Sequence, residues 1–264
     1  MMDHIKISAA IITYNEEKYI QGCIDSLKGL VDEIVIVDSF STDKTEEICR
    51  RNDVKFVQHV FDGHIQQKNR ALDLTSFNYV LSLDADEVLS PELQHSVLAI
   101  KKAWNADAYH FNRLNNYCGR WMRHCGWYPD KKLRLWDKRK GRWGGYNPHD
   151  VVVMDKDASV KWIKGDILHY TCDTISDHVL KANKYSDIAA KDKYERGVKS
   201  SVMKIFYKTM WRFIHSYFFR LGFLDGFYGF IACNISAFCT FLKYVKLRQL
   251  HLDHKESKIL ERKI

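Results

Sequence analysis

The chain has 264 residues, 46% hydrophobic and 13% aromatic with only 3 Pro, which excludes disorder and leaves room for one large or two small domains. Its 7 Cys include no C-x-x-C pair, so they read as reduced, cytosolic thiols rather than a disulfide framework or a zinc site. The formal charge of +8 sits at one end: residues 196–264 hold 13 Lys+Arg against 4 Asp+Glu, which implies an anionic partner, either nucleic acid or a membrane surface.

Met1 to Lys6 lead straight into an apolar strand over Ile5–Ile12, without a signal-peptide pattern. Thr13-Tyr14-Asn15-Glu16-Glu17 follows, with Asn15 placed to N-cap the next helix and both glutamates suited to its first turn. Ile20, Ile24, Leu27 and Leu30 give that helix one apolar stripe. Glu33–Val37 is a second strand ending at Asp38, and then come a helix through Cys49, a strand over Val54–Val60 and a helix over His64–Leu74. Tyr79–Leu83 reads as a buried strand that stops at Asp84-Ala85-Asp86-Glu87, after which Ser90-Pro91-Glu92 opens another helix.

Strands alternating with helices predict crossover connections and a mostly parallel sheet, whose ligands bind beyond the carboxyl ends of the strands. Thr13, Asp38 and Asp84 all lie at those ends and can converge on one crevice. The D-x-D pair suits a hard cation, Mg²⁺ or Mn²⁺, that completes its shell with phosphate oxygens and water. Taken alone, the same pair also reads as a solvated strand end. There is no G-x-G-x-x-G and no P-loop, so a nucleotide here is held by side chains.

Ala108–Leu114 is a further strand. Between Asn116 and Trp143, four tryptophans (Trp121, Trp127, Trp136, Trp143) are interspersed with Arg120, Arg123, Lys131, Arg134 and Arg142. Aromatics among cations fit a nucleic-acid surface or an anionic sugar acceptor, with half of the indoles assigned to the core. Gly144 to Pro148 is a turn cluster delivering His149 and Asp150 into a strand over Val151–Met154, and His169 precedes a helix of roughly 174–195. From Ser200 onward, Lys204, Lys208, Arg212 and Arg220 recur on one side of an aromatic-rich helix, the pattern of an interfacial element. Gly226–Leu242 then runs 17 residues without a formal charge, and Lys243, Lys246 and Arg248 after it are placed to meet anionic lipid.

Four ordered motifs carry a resemblance: the strand into Thr13-Tyr14-Asn15-Glu16, then Val37-Asp38-Ser39-x-Ser41-x-Asp43-x-Thr45, then Gln67-Lys68-Asn69-Arg70-Ala71, then Leu83-Asp84-Ala85-Asp86-Glu87. Together they resemble the family 2 glycosyltransferases of GT-A fold. Lys132-Leu133-Arg134-Leu135-Trp136, Pro148-His149-Asp150 and His169-Tyr170 extend the resemblance to the subgroup that adds β-1,4-glucose to the lipopolysaccharide inner core, which more often has His-Glu where this chain has His149-Asp150. The resemblance implies an α/β, Rossmann-like GT-A domain with a mostly parallel sheet over 1–195, divided into a nucleotide-sugar half (1–115) and an acceptor half (116–195). Residues 196–264 are then a helical membrane-association region. It further implies a donor site of Thr13, Tyr14, Asn15, Glu16, Asp38, Lys68, Arg70, Asp84, Ala85 and Asp86, with Asp38 on the uracil ring. Asp86 and His169 bind Mg²⁺ or Mn²⁺, and Trp127, Arg134, Trp136 and His149 meet the acceptor.

The expected activity is inverting transfer of a hexose, glucose in the first place, from a UDP-sugar to a lipid-linked glycan at the cytoplasmic face of the membrane. Rival readings are a transferase acting on capsule, teichoic-type polymer or protein, a sugar-nucleotide uridylyltransferase, and a nucleic-acid-binding module. Two carboxylates compete as general base. Asp130 adjoins Lys131, Lys132 and Arg134, which depress its pKa, whereas Asp150 enters an apolar strand, where desolvation raises it, so Asp150 is favoured.

Overall fold

The structure, a computed structural model, describes residues 5–146 and 149–261, excepting the side chains of Tyr146, His149 and residues 255–261. In chain order the elements are β1 (Ile7–Thr13), α1 (Ile20–Leu27), β2 (Glu33–Asp38), α2 (Thr45–Arg50), β3 (Lys55–Gln58), α3 (His64–Asp73), β4 (Tyr79–Asp84), β5 (Glu87–Leu89) and α4 (Pro91–Lys102). There follow β6 (Ala108–Tyr117), β7 (Arg120–Met122), β8 (Asp130–Asp137), β9 (Gly141–Tyr146), β10 (His149–Met154), β11 (Val160–Cys172) and α5 (Ile175–Glu195). The chain ends in α6 (Val202–Ile214), a π-helical turn (His215–Phe219), a 3₁₀ turn (Gly222–Asp225) and α7 (Gly226–Glu261).

The apolar strands β3, β2, β1 and β4 lie parallel in that order, and β8, β6, β11 and β5 continue the sheet beyond β4. The pairs β4–β8, β8–β6, β6–β7 and β11–β5 are antiparallel, so the sheet is mixed, parallel where the crossover helices lie. Alternation along the strands supplies two core faces. Ile7, Ala9 and Ile11 of β1 pack with Ile20, Ile24 and Leu27 of α1 and with Leu93 and Val97 of α4. On the opposite face Ala10 packs with Val37, Val80, Ala71 and Leu72 of α3, and Trp143 of β9. Strands β9 and β10 form a separate two-stranded ribbon.

Two compact units result: residues up to Leu114 with Pro129–Tyr170, and Asn115–Tyr128 with the residues from Thr171 onward. This differs from a division at 195/196. Helix α5 belongs with the C-terminal helices because Lys246 of α7 reaches Asp187 at 2.6 Å and donates to Asn183 and Ser186, while Cys239 Sγ lies 3.4 Å from the Ala182 carbonyl. Lys246 is therefore spent within the protein rather than offered to lipid. The other local expectations divide. Ser90 caps α4 as the sequence indicates, accepting from the Leu93 N–H, and Thr174 forms a capping box with Asp177 at the start of α5. Asn15 does not cap α1, which starts at Ile20 after an uncapped Tyr19. A short strand, β5, intervenes between Asp84 and α4.

Gly165 shows how closely β11 and α4 approach. Its φ is +100°, and an added Cβ would fall 2.3 Å from the Leu93 nitrogen. Gly165→Ala should therefore lower stability by about 2 kcal/mol or more, read from the urea midpoint at constant m. Gly29→Ala, where φ is +73° but the space is open, should lose only the ~1 kcal/mol of a left-handed backbone.

Candidate active site

The carboxyl ends of the parallel strands stand level, with Thr13 paired to Asp38 and Ile12 to Asp84. Beyond them, the motif residues of two loops bond one another. The Asn15 N–H donates to Ser41 Oγ (2.8 Å), Asn15 Oδ1 accepts from the Thr42 N–H (2.8 Å), the Glu16 N–H donates to Thr45 Oγ1 (2.8 Å) and the Glu17 N–H to Asp43 Oδ2 (3.0 Å). Asn15 holds φ +54°, which asparagine tolerates better than most residues. Asp38 is fully buried and accepts from the Ser41 N–H and hydroxyl and from Gln58 Nε2. It thus shapes its own loop, and no part of it is exposed to a base as the resemblance implies. Thr13 is different: its hydroxyl is buried and has no hydrogen-bond partner among the described residues. Tyr14 is 57% exposed.

After Asp84 the chain turns back at Ala85, whose small side chain is buried, and enters β5 against β11, where Glu87 pairs with His169. That turn separates the two carboxylates of the D-x-D pair. Asp86 Oδ2 lies 3.2 Å from His169 Nε2, and the Tyr170 N–H donates to the Asp86 carbonyl. Asp84 instead meets Lys68 of α3 at 2.9 Å and Arg134 of β8 at 3.1 Å. Lys68 also meets Asp150 at 2.8 Å, and Arg134 also meets Glu87 at 3.3 Å. The indole of Trp143 backs both cations, with Lys68 Nζ 4.4 Å and Arg134 Cζ 5.0 Å from the ring centre. Burial alone would raise the pKa of Asp84, but Lys68 and then Arg134 hold it well below the usual carboxylate range. Glu87 is likewise lowered: burial opposes ionisation, and Arg134 and Arg113 outweigh it.

Residues 8–156 match the profile described as glycosyl transferase family 2. The chain belongs to that family. A glycosyltransferase of Rickettsia typhi is 35% identical over 260 residues, covering 95% of this chain and 89% of the relative. The lipopolysaccharide core biosynthesis glycosyltransferase LpsC of Rhizobium meliloti is 29% identical over 268 residues, covering 95% of each. Among solved structures, glucosyl-3-phosphoglycerate synthase of Mycobacterium tuberculosis shares 26% identity over 42% of this chain and 44% of that one, at a TM-score of 0.36.

Several residues of this family 2 transferase sit elsewhere than the sequence places them. Trp136 is fully buried, donates its indole N–H to the Gly141 carbonyl and packs edge-on to Trp143, so it offers no face to an acceptor. Arg134, also buried, belongs to the D-x-D carboxylates rather than to an acceptor surface. Arg70, two residues from Lys68 and so on another side of α3, pairs with Asp62 at 3.1 Å. Trp127 lies in the second unit, edge-on to Tyr117 and His178. The side chain of His149 lies outside the described residues. Asp150 does not enter an apolar setting: Val151 and Val153 beside it are exposed, and its carboxylate pairs with Lys68. Asp130 pairs with Arg113 at 2.8 Å and Lys132 at 3.1 Å.

Glu87 was not marked out by the sequence beyond its place after the D-x-D pair. It is fully buried, accepts from the Asp84 N–H (3.0 Å) and meets Arg113 (3.2 Å) as well as Arg134. Glu87→Gln would leave the buried Arg134 and the part-buried Arg113 each short of a counter-charge, and should destabilise the protein by about 3 kcal/mol. Because the folded pKa values of Glu87 and Asp84 are depressed, the stability they contribute is present above the unfolded range, about pH 4 to 5, and is lost as pH falls below it. Urea midpoints measured against pH should therefore fall more steeply on acidification for the wild type than for Glu87→Gln.

Proposed function

We propose that this family 2 transferase moves a hexose, glucose in the first place, from a UDP-sugar to a lipid-linked glycan of the lipopolysaccharide inner core. The reading rests above all on the grouping, at the carboxyl end of β4, of Asp86 with His169 and of Asp84 with Asp150 through Lys68. The acceptor class is supported by the name of the Rhizobium meliloti relative.

The donor lies along the strand ends, where Tyr14 is open and the unpaired Thr13 hydroxyl seeks a partner. Asn15, Glu16 and Asp38 act through the welded loops that frame it, and Ala85 keeps the turn to Asp86 tight. Lys68 and Arg134 hold positive charge beside the carboxylates, where a diphosphate would lie. Asp86 and His169 would hold a divalent ion; the carboxylate suits Mg²⁺ or Mn²⁺, and the imidazole favours Mn²⁺ of the two. When bound, such an ion neutralises charge on the departing diphosphate.

Asp150 is the base in this reading. Transfer with inversion takes one displacement, in which a carboxylate accepts the proton of the attacking acceptor hydroxyl. Lys68 makes that step reasonable, because its second partner, Asp84, keeps the ammonium paired when Asp150 takes up a proton. Asp130 is held by two cations, Lys132 and the Arg113 it shares with Glu87, and is the weaker choice.

Attachment to a membrane surface, the cytoplasmic face in this reading, has the second unit in its favour as far as attachment goes. Helix α6 buries none of its residues, and Met203, Phe206 and Tyr207 are exposed on it. Gly222–His254 is, by length and composition, long and apolar enough to cross a membrane, with 33% of its most apolar window buried within the protein. An interfacial position suits the mixture of exposed aromatics and buried small residues better than a span does.

Asp86→Ala should abolish transfer and weaken UDP binding in the presence of Mn²⁺; titration calorimetry giving equal affinity with Mn²⁺ and with chelator would remove the metal from the site. Asp150→Asn should leave UDP-sugar affinity within severalfold while turnover falls by roughly 10² to 10⁴. If Asp130→Asn loses turnover and Asp150→Asn keeps it, the base is Asp130.

A further inference from the structure

The second unit contains a cavity of about 590 Å³ lined by residues of α5, α6 and α7. Its lining is lopsided in charge. Lys181, Lys208, Arg212 and Lys243 face it, and among the described residues no Asp or Glu does. Lys181 is occupied by the Thr171 carbonyl at 2.6 Å, but no carboxylate pairs with Lys208, Arg212 or Lys243 among the described residues. Lys246, three residues from Lys243, makes the contrast, since Asp187 neutralises it. The crowding is felt: burial first, then Lys193, Arg212 and Lys208, push the Lys243 ammonium below the ordinary lysine value. Cations gathered without a counter-charge repel one another, and an anion among them relieves that repulsion.

The surroundings say what kind of anion. Trp211 and Tyr185, which also line the cavity, are 44% and 52% exposed, so each offers an aromatic face beside the cations. Cys239 and Ala182 add a small apolar share to the same lining. An inorganic ion uses none of that surface, whereas an amphiphile uses both parts. Several cations around one cavity also favour a phosphate monoester, which carries close to two charges and three acceptor oxygens, over a phosphodiester with one charge.

We propose that this cavity binds the terminal phosphate monoester of an anionic lipid, with Lys208, Arg212 and Lys243 around the phosphate and the exposed faces of Trp211 and Tyr185 against the apolar part. This deepens the membrane-surface reading above by making one headgroup, rather than negative charge in general, the thing recognised. It does not depend on the sugar or on the catalytic residues.

The test is sedimentation of the full chain with phosphatidylcholine vesicles carrying either phosphatidic acid or phosphatidylglycerol, matched in surface charge. Phosphatidic acid should retain the protein several-fold better. Arg212→Gln combined with Lys243→Gln should erase that preference and weaken binding to both lipids by about fivefold for each cation removed. Lys204→Gln with Arg220→Gln removes the same charge from residues outside the cavity, and should weaken binding to both lipids alike while the ratio between them persists. Equal retention on the two lipids by the wild type, or the same ratio in both double variants, overturns the proposal. So does loss of inorganic-phosphate binding, by calorimetry, in Arg212→Gln with Lys243→Gln while the lipid preference persists, which would assign the cavity to a free anion. Binding to no vesicle at all would overturn this proposal and the membrane reading together.

Discussion

Seven charged side chains of alternating sign run without a break through the first unit, from Asp150 through Lys68, Asp84, Arg134, Glu87 and Arg113 to Asp130. Any one of the buried members would be too costly to hold alone, and a lone buried carboxylate would protonate instead. Alternation removes that difficulty, because each ion except the last at either end has a neighbour of opposite sign on both sides. The members come from α3, β4, β5, β6, β8 and β10, so the row also fixes how those elements meet. Trp143 completes it by giving Lys68 and Arg134 a common aromatic wall in place of water.

Much of the frame around this row was legible in the sequence. Short β-branched runs spaced by helical stretches identified β1 to β4, and the stripe Ile20, Ile24, Leu27 and Leu30 is buried as its periodicity requires. Asp84, Asp86, Lys68, Asp150 and His169 were all marked, and all lie in one unit at one end of β4. What they do to one another was not legible. A D-x-D pair looks like two ligands for one ion, but a three-residue strand after it turns Asp84 to Lys68 and Arg134 and Asp86 to His169. Glu87-Val88-Leu89 is too short to carry a period, so β5 has no signal of its own.

The tryptophans show the same limit from the side of packing. Four indoles among arginines look alike in a string of letters, yet Trp136 and Trp143 are core and Trp121 is 36% exposed. Which side of a strand an indole takes is fixed by β8 and β9 pairing with distant strands, and pairing across such distances leaves no local pattern. Asn15 failed as a helix cap for a related reason: its side chain had two local uses, and the tertiary one, accepting from Thr42 in another loop, prevailed. The C-terminal helices were more readable, since exposed aromatics with interleaved cations survive as a pattern whatever the neighbours do.

The charged row has a bearing on descent. Replacing Lys68 by a neutral residue takes the cation from Asp150 and leaves Asp84 with Arg134 alone, and replacing Arg134 leaves Asp84 and Glu87 with one cation each. Only paired changes of opposite sign keep the total, and such pairs seldom arise together. Lineages that come to use a different sugar or acceptor are therefore freer to change at exposed positions such as Tyr14, Phe40 or Trp162, which stand 50% or more open. The row itself resists change one residue at a time, because each of its inner members serves two neighbours.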